Sequence, residues 1–195
     1  MAEAGADTAL RMAAFQHVRR LAQLHDHLSS NDLRGGFLFA GERVPLINLQ
    51  RGIFKPRRMR HLLSIRTVYP RPGAKVWYDD QRDVHRKIFE ASDGIEYAFM
   101  GSDPDAADNR WLREAFEARV PIIYFIGIAP GLYRAELPAF ISAWDPRALK
   151  AQVVFGDTND AALAPPEGLQ ERRYALREVK QRLHQASFRE AVISA

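Results

Sequence analysis

Two stretches of this chain hold residues whose types and spacing suit chemistry on a polyanion and on a flat ring. Between Glu42 and Asp79 there is no Asp or Glu, while Arg43, Arg51, Lys55, Arg57, Arg58, Arg60, Arg66, Arg71 and Lys75 all fall inside the window. Many of these cations flank the turn-bearing segment Gly52-Ile53-Phe54-Lys55-Pro56-Arg57-Arg58, where side chains reach phosphates without being committed to a core. The guanidinium fork suits phosphate oxygens in particular. The plainer reading is a solvated loop paired with the acidic stretch that follows, which runs from Asp79, Asp80 and Asp83 to Asp103, Asp105 and Asp108. The second stretch is Trp77-Tyr78-Asp79-Asp80, followed across a loop by Tyr97 and Phe99. A slot for an extruded base needs flat walls and a fixed acceptor for an exocyclic amine, and aromatic rings with a carboxylate supply both. Taken by themselves, Tyr78, Tyr97 and Phe99 read first as core residues on alternating strands, with the two aspartates capping a turn.

Other constellations exclude themselves. With no cysteine there are no disulfides, no thiolate nucleophile and no cysteine-ligated zinc. His25-Asp26-His27 lies on a helical pattern, where residues two apart point to different faces. Asp103-Pro104-Asp105 with Glu178-Val179-Lys180 has the residue types of a carboxylate-lysine nuclease set, but its second half sits far along the chain on a charged helix. No glycine-rich nucleotide loop or nucleophile elbow occurs. No catalytic residue and no metal site is therefore assigned. No apolar run approaches the roughly 20 residues of a bilayer span, so a cytoplasmic, membrane-free protein is expected.

The elements that must position these residues follow from periodicity. At 195 residues and 47% apolar composition the chain supports one substantial core with flanking helices. Leu10, Ala14, Val18, Leu21, Leu24 and Leu28 predict an amphipathic helix over 8–28 that Ser29, Ser30 and Asn31 end. A hairpin is expected around Ala40-Gly41-Glu42, then strands over 61–68 and 94–101. Asp108 is the expected N-cap of a short helix carrying Trp111, Leu112, Ala115 and Phe116. Ile122 to Ile128 reads as a strand buried on both faces, with two further strands over 139–144 and 152–155. A linker over 157–168 leads to a helix with Leu176, Val179 and Leu183 as its stripe. This order is α+β, a curved, mostly antiparallel sheet or barrel with one short packed helix and a helix at each end. The division expected is an N-terminal helix over 1–31, a central domain over 32–156, and a linker with helix over 157–195.

The run Trp77-Tyr78-Asp79-Asp80, then Asp93-Gly94-Ile95-Glu96-Tyr97-Ala98-Phe99-Met100-Gly101-Ser102-Asp103, then Asn109-Arg110-Trp111-Leu112, resembles SRA (SET- and RING-associated) domains. The broader stretch from Gly35 to Trp144, with Pro121-Ile122-Ile123-Tyr124-Phe125 and Ala129-Pro130-Gly131, is similar to the N-terminal half of bacterial endonucleases that join such a reader to an HNH nuclease. The resemblance implies a PUA-like barrel that flips 5-methylcytosine or 5-hydroxymethylcytosine out of duplex DNA. Tyr78 and Phe99 would be stacking walls, Asp79 or Asp80 the acceptor for the cytosine amine, and Trp77 and Tyr97 the rest of the pocket. Arg51, Lys55, Arg57, Arg58 and Arg60 would hold phosphates. Sulfur-binding domains for phosphorothioate DNA share a similar layout, and a stand-alone carboxylate nuclease is the alternative of another class. The segment from Arg172 resembles the helix that leads into the HNH module. No catalytic HNH residues follow it here, so a divalent metal belongs only to that module. Modified double-stranded DNA is the expected partner; a homodimer is left open.

Overall fold

The structure, a computed structural model, describes residues 2–69, 86, 88–157 and 163–193. It is α+β. Six strands form a curled half-barrel in the order β4 (Ile53–Phe54), β5 (Ser64–Thr67), β7 (Ile122–Ala129), β8 (Leu132–Asp145), β9 (Lys150–Phe155) and β6 (Ile95–Ala98). The short β1 (Leu28–Ser29) pairs with the start of β8. All pairings are antiparallel except β5 with β7, which run parallel from Ser64↔Ile123 to Thr67↔Ile126. Register shifts between Ile122 and Tyr124, Gly127 and Ala129, and Ile141 and Ala143 supply the bulges that bend such a sheet. Gly127 also lets β5 pass closely, since a Cβ there would lie 2.6 Å from the Tyr69 amide nitrogen and 2.8 Å from the Thr67 carbonyl oxygen.

Strand β7 is the two-sided centre that its unbroken apolar run predicts. Ile122, Tyr124, Ile126 and Ile128 face one core, Ile123 and Phe125 the other. The first core is closed by α3 (Ala107–Ala118) through Leu112 and Ala115, and by the C-terminal helix α4 (Leu169–Ile193) through Leu176, Val179, Leu183 and Ala186. The second is closed by α1 (Ala2–Leu24) through Leu10, Ala14, Phe15 and Val18, by Leu33 of α2 (Ser30–Gly35), and by the hairpin β2 (Phe37–Phe39)–β3 (Glu42–Val44). Both terminal helices are thus packed on the same sheet as the central strands. Helix α4 is also tied by polar contacts. Its Arg182 Nη2 lies 2.6 Å from Glu136, a carboxylate with 3% exposure on β8 that Arg134 also holds at 3.1 Å. Lys180 donates to the carbonyls of Phe89 and Ala91. Among the described residues no helix is long and apolar enough to cross a membrane.

Several boundaries differ from expectation. Helix α1 stops at Leu24, and Ser29, rather than ending it, caps α2: its hydroxyl accepts from the Asp32 amide while the Asp32 carboxylate accepts from the Ser29 amide. Asp108 is not an N-cap, since α3 begins one residue earlier; its side chain turns inward to Arg51. The expected strand over 139–144 is the second half of β8, which runs through Pro138.

Asn109 is the polar keystone beneath α3. Fully buried, it accepts from the Met100 amide at 2.9 Å and donates to the carbonyls of Met100 at 3.0 Å and Asp103 at 2.7 Å, so its amide holds the 100–103 turn closed. Asn109→Ala should cost about 3 kcal/mol, because a fully buried amide and the three backbone groups it serves lose their bonds at once. Chemical denaturation with the Trp144 signal checks this, since the Trp144 indole donates to the Asn109 carbonyl at 3.2 Å.

Candidate nucleic-acid interface

The cationic loop is pinned, and its pinning sorts its side chains. Strand β4 pairs with β5, the Met59 amide donates to the Pro56 carbonyl at 2.9 Å, and the Leu63 amide donates to the Phe54 carbonyl at 2.9 Å. Ile53, Pro56, Met59 and Leu62 point inward as buried pegs, so the intervening Arg57, Arg58 and Arg60 are left facing solvent. With the backbone held this way, only the side chains need be ordered when these cations meet a ligand.

Arg43, Lys55, Arg57 and Arg58 line one cleft of about 540 Å³ beside the hairpin, with Glu42 as its carboxylate. Glu42 pairs with Arg58, and both are more than half exposed. Among the described residues no carboxylate lies within ion-pair distance of Lys55, Arg57 or Arg60. The Arg60 backbone is anchored instead, donating to Asp7 at 2.7 Å. Arg51 belongs to a different arrangement: its guanidinium lies 3.0 Å from the buried Asp108 carboxylate, so here the expected pairing with the acidic stretch is realised. Arg66, which the sequence groups with the others, is spent on the Leu49 and Arg51 carbonyls and the Tyr133 hydroxyl, and so braces the loop.

Trp77, Tyr78, Asp79 and Asp80 lie outside the described residues. Tyr97 and Phe99 are described, and both are core residues, with 6% and 4% exposure. The Tyr97 hydroxyl donates to the Arg66 carbonyl, and its ring meets Tyr124 edge-on at 6.0 Å. Burial pushes this phenol far above its ordinary pKa. Phe99 stacks on Trp144 at 5.3 Å between centroids. The alternation Ile95, Tyr97, Phe99 places all three on the face of β6 that packs into the first core. Among the described residues both rings pack into the first core rather than presenting an open face.

The carboxylate-lysine set is not assembled either. The Asp103 carboxylate caps a turn by accepting from the Asp105 amide, Asp105 lies 3.5 Å from Arg113, and Lys180 is engaged by backbone carbonyls. Among the described residues no group of three His, Asp or Glu is placed to hold a metal.

A second cleft, of about 610 Å³, opens between the loop and α3. Lys55, Arg60 and His61 line one side; Trp111, Glu114 and Glu117 line the other. The Lys55 ammonium lies 5.5 Å from the Trp111 ring centre. Sequence reasoning took Trp111 only as part of the apolar face of a helix. The signal for the cleft was the spacing of Trp111, Glu114 and Glu117, three residues apart on one helical face.

Burial holds the imidazoles of His61 and His17 below their ordinary value of 6.5, with Arg20 adding to the effect at His17, and Arg11 and Arg60 working against Asp7 and Glu114 at His61. The folded state therefore refuses protons that the unfolded chain takes up, and stability should fall as pH drops below 6.5 and through the lower folded values. The lowered carboxyls of Asp32 and Asp145 act in a separate window, below 3.8. Thermal midpoints across about pH 8 to 5 check this: His17→Gln with His61→Gln should flatten the profile, and an unchanged profile would assign the dependence to other groups.

No protein-family model matches this sequence, no curated protein matches it, and no solved structure matches its fold.

Proposed function

We propose that this chain binds duplex DNA along its phosphate backbone through the 55–60 loop, as the SRA-like, modified-base-reading part of a restriction-type endonuclease. The observation that carries the reading is the gathering of Arg43 of the hairpin with Lys55, Arg57 and Arg58 of the pinned loop around one cleft, with a single carboxylate among them. Four cations at one concave place, with Arg43, Arg57 and Arg58 exposed, match what phosphate positioning needs. The curled half-barrel supports a PUA-like architecture. Base recognition falls to Trp77, Tyr78, Asp79 and Asp80, with Tyr97 and Phe99 contributing as core residues. Phosphodiester cleavage by an HNH module is the partner activity this reader would serve.

Binding of the full chain to unmodified, 5-methylcytosine, 5-hydroxymethylcytosine and phosphorothioate duplexes, each at several salt concentrations, tests the reading. Steeply salt-dependent binding with tighter affinity for a modified cytosine is expected. Preference for the phosphorothioate duplex would move the assignment to sulfur recognition. Indifference to both salt and modification would overturn it.

A further inference from the structure

The cleft between the loop and α3 has a composition that the phosphate-binding reading does not use. Its cations, Lys55 and Arg60, come from the loop, and its carboxylates, Glu114 and Glu117, from the helix, with the Trp111 indole between them. An acidic peptide would meet the two glutamates and a basic one the two cations. A ligand that fits carries negative charge at one end and a flat, amine-bearing ring at the other. That is the chemistry of a nucleotide: glutamate accepts from an exocyclic amine, an indole stacks on any base, and Lys and Arg take the phosphate. The volume, about 610 Å³, lies within the range of about 300–1,000 Å³ usual for small-ligand sites.

One detail points the same way. The Lys55 ammonium, which also donates to the Met59 carbonyl at 3.2 Å, lies over the Trp111 ring, so a polar group reaches the indole from the cleft, and its flexible stem lets it turn to a phosphate while a base takes the ring.

We propose that this cleft is a slot for one unpaired nucleotide of bound DNA, favouring cytosine, adenine or guanine over thymine. The base stacks on Trp111, its amine donates to Glu114 or Glu117, and the adjoining phosphate meets Lys55 and Arg60. Thymine lacks an exocyclic amine, and its one ring donor, N3–H, sits between two carbonyl oxygens that repel a carboxylate, so it pairs less well with the glutamates. The inference rests on the DNA-binding reading, and its test separates the two.

Fluorescence anisotropy of the full chain with three labelled duplexes decides it: one perfectly paired, one with a single unpaired cytosine, one with a single unpaired thymine. The cytosine bulge should bind about tenfold tighter than the paired duplex, with a smaller gain for thymine. Trp111→Ala should erase the preference for bulges while affinity for paired duplex stays within about twofold. Trp111→Phe, which keeps a flat ring against the core, should retain most of it. Glu114→Gln with Glu117→Gln should bring cytosine and thymine together. Equal affinity for bulged and paired duplexes, with salt dependence intact, would overturn the slot and leave the DNA-binding reading standing, as would a bulge preference that survives Trp111→Ala. Absence of salt-dependent binding to any of the three would overturn both.

Discussion

Replacing Arg43, Arg57 and Arg58 together by glutamine should weaken duplex binding by about two orders of magnitude near 0.15 M salt and flatten the log–log salt dependence by about 0.9 for each arginine that meets a phosphate. Each contacted phosphate releases condensed counterions, so the slope counts contacts in a way that a single affinity does not. These three positions suit the measurement because little of the fold depends on them. Arg57 is exposed, the exposed Arg58–Glu42 pair is worth at most about 1 kcal/mol, and Arg43 donates only to the Gly35 carbonyl at the end of α2. The neighbouring Arg66 is the wrong residue to change, since losing its bonds to Leu49, Arg51 and Tyr133 would loosen the loop itself. An unchanged slope in the triple variant would show that DNA is held on another face.

Arg11→Met should cost about 3–5 kcal/mol, the largest stability loss expected from one substitution here. Arg11 is 3% exposed, and its guanidinium donates to the Leu62 carbonyl at 2.8 Å, the Pro121 carbonyl at 2.9 Å and Asp7 at 3.1 Å. It thereby joins α1 to the loop and to the entry of β7. Burial pulls its pKa down, and the Asp7 charge offsets part of that. Without Arg11, Asp7 is a buried carboxylate whose remaining donor is the Arg60 amide, and two carbonyls are stranded. Asp7→Leu added to Arg11→Met should recover part of the loss, because it removes the unpaired charge; the orphaned carbonyls set the remainder. Denaturant midpoints for the parent, both single variants and the double variant measure the coupling. A loss below about 1 kcal/mol would mean that Arg11 packs as an aliphatic stem and its bonds add little.

Where the pattern along the chain was local, it predicted the structure closely. The two-faced β7, the Ala40-Gly41 hairpin and the stripe of α4 each follow from spacings within one element. The course of β8 was hidden by Pro138 and by the charged Arg134 and Glu136, which belong in a strand only because Arg182, 46 residues beyond Glu136, arrives to meet the carboxylate. The cationic window was legible as charge, yet its division was not: Arg66 and Arg51 turn to acceptors distant in sequence, while Arg57 and Arg60 do not. Alternation put Tyr97 and Phe99 on one face of β6, but a period of two cannot say whether that face is a core or an open slot. Asn109 and Arg11 bond to backbone groups, and a carbonyl leaves no mark in a sequence.

The strand order also dictates a timetable for synthesis. Among the described residues, β4 and β5 have no inner neighbour until β7 has emerged, and β6 pairs only with β9, more than 50 residues later. Half of the growing chain therefore waits with its edges bare, so this fold closes late on the ribosome, and slow translation upstream of residue 150 would lengthen the interval in which those strands can seek other company.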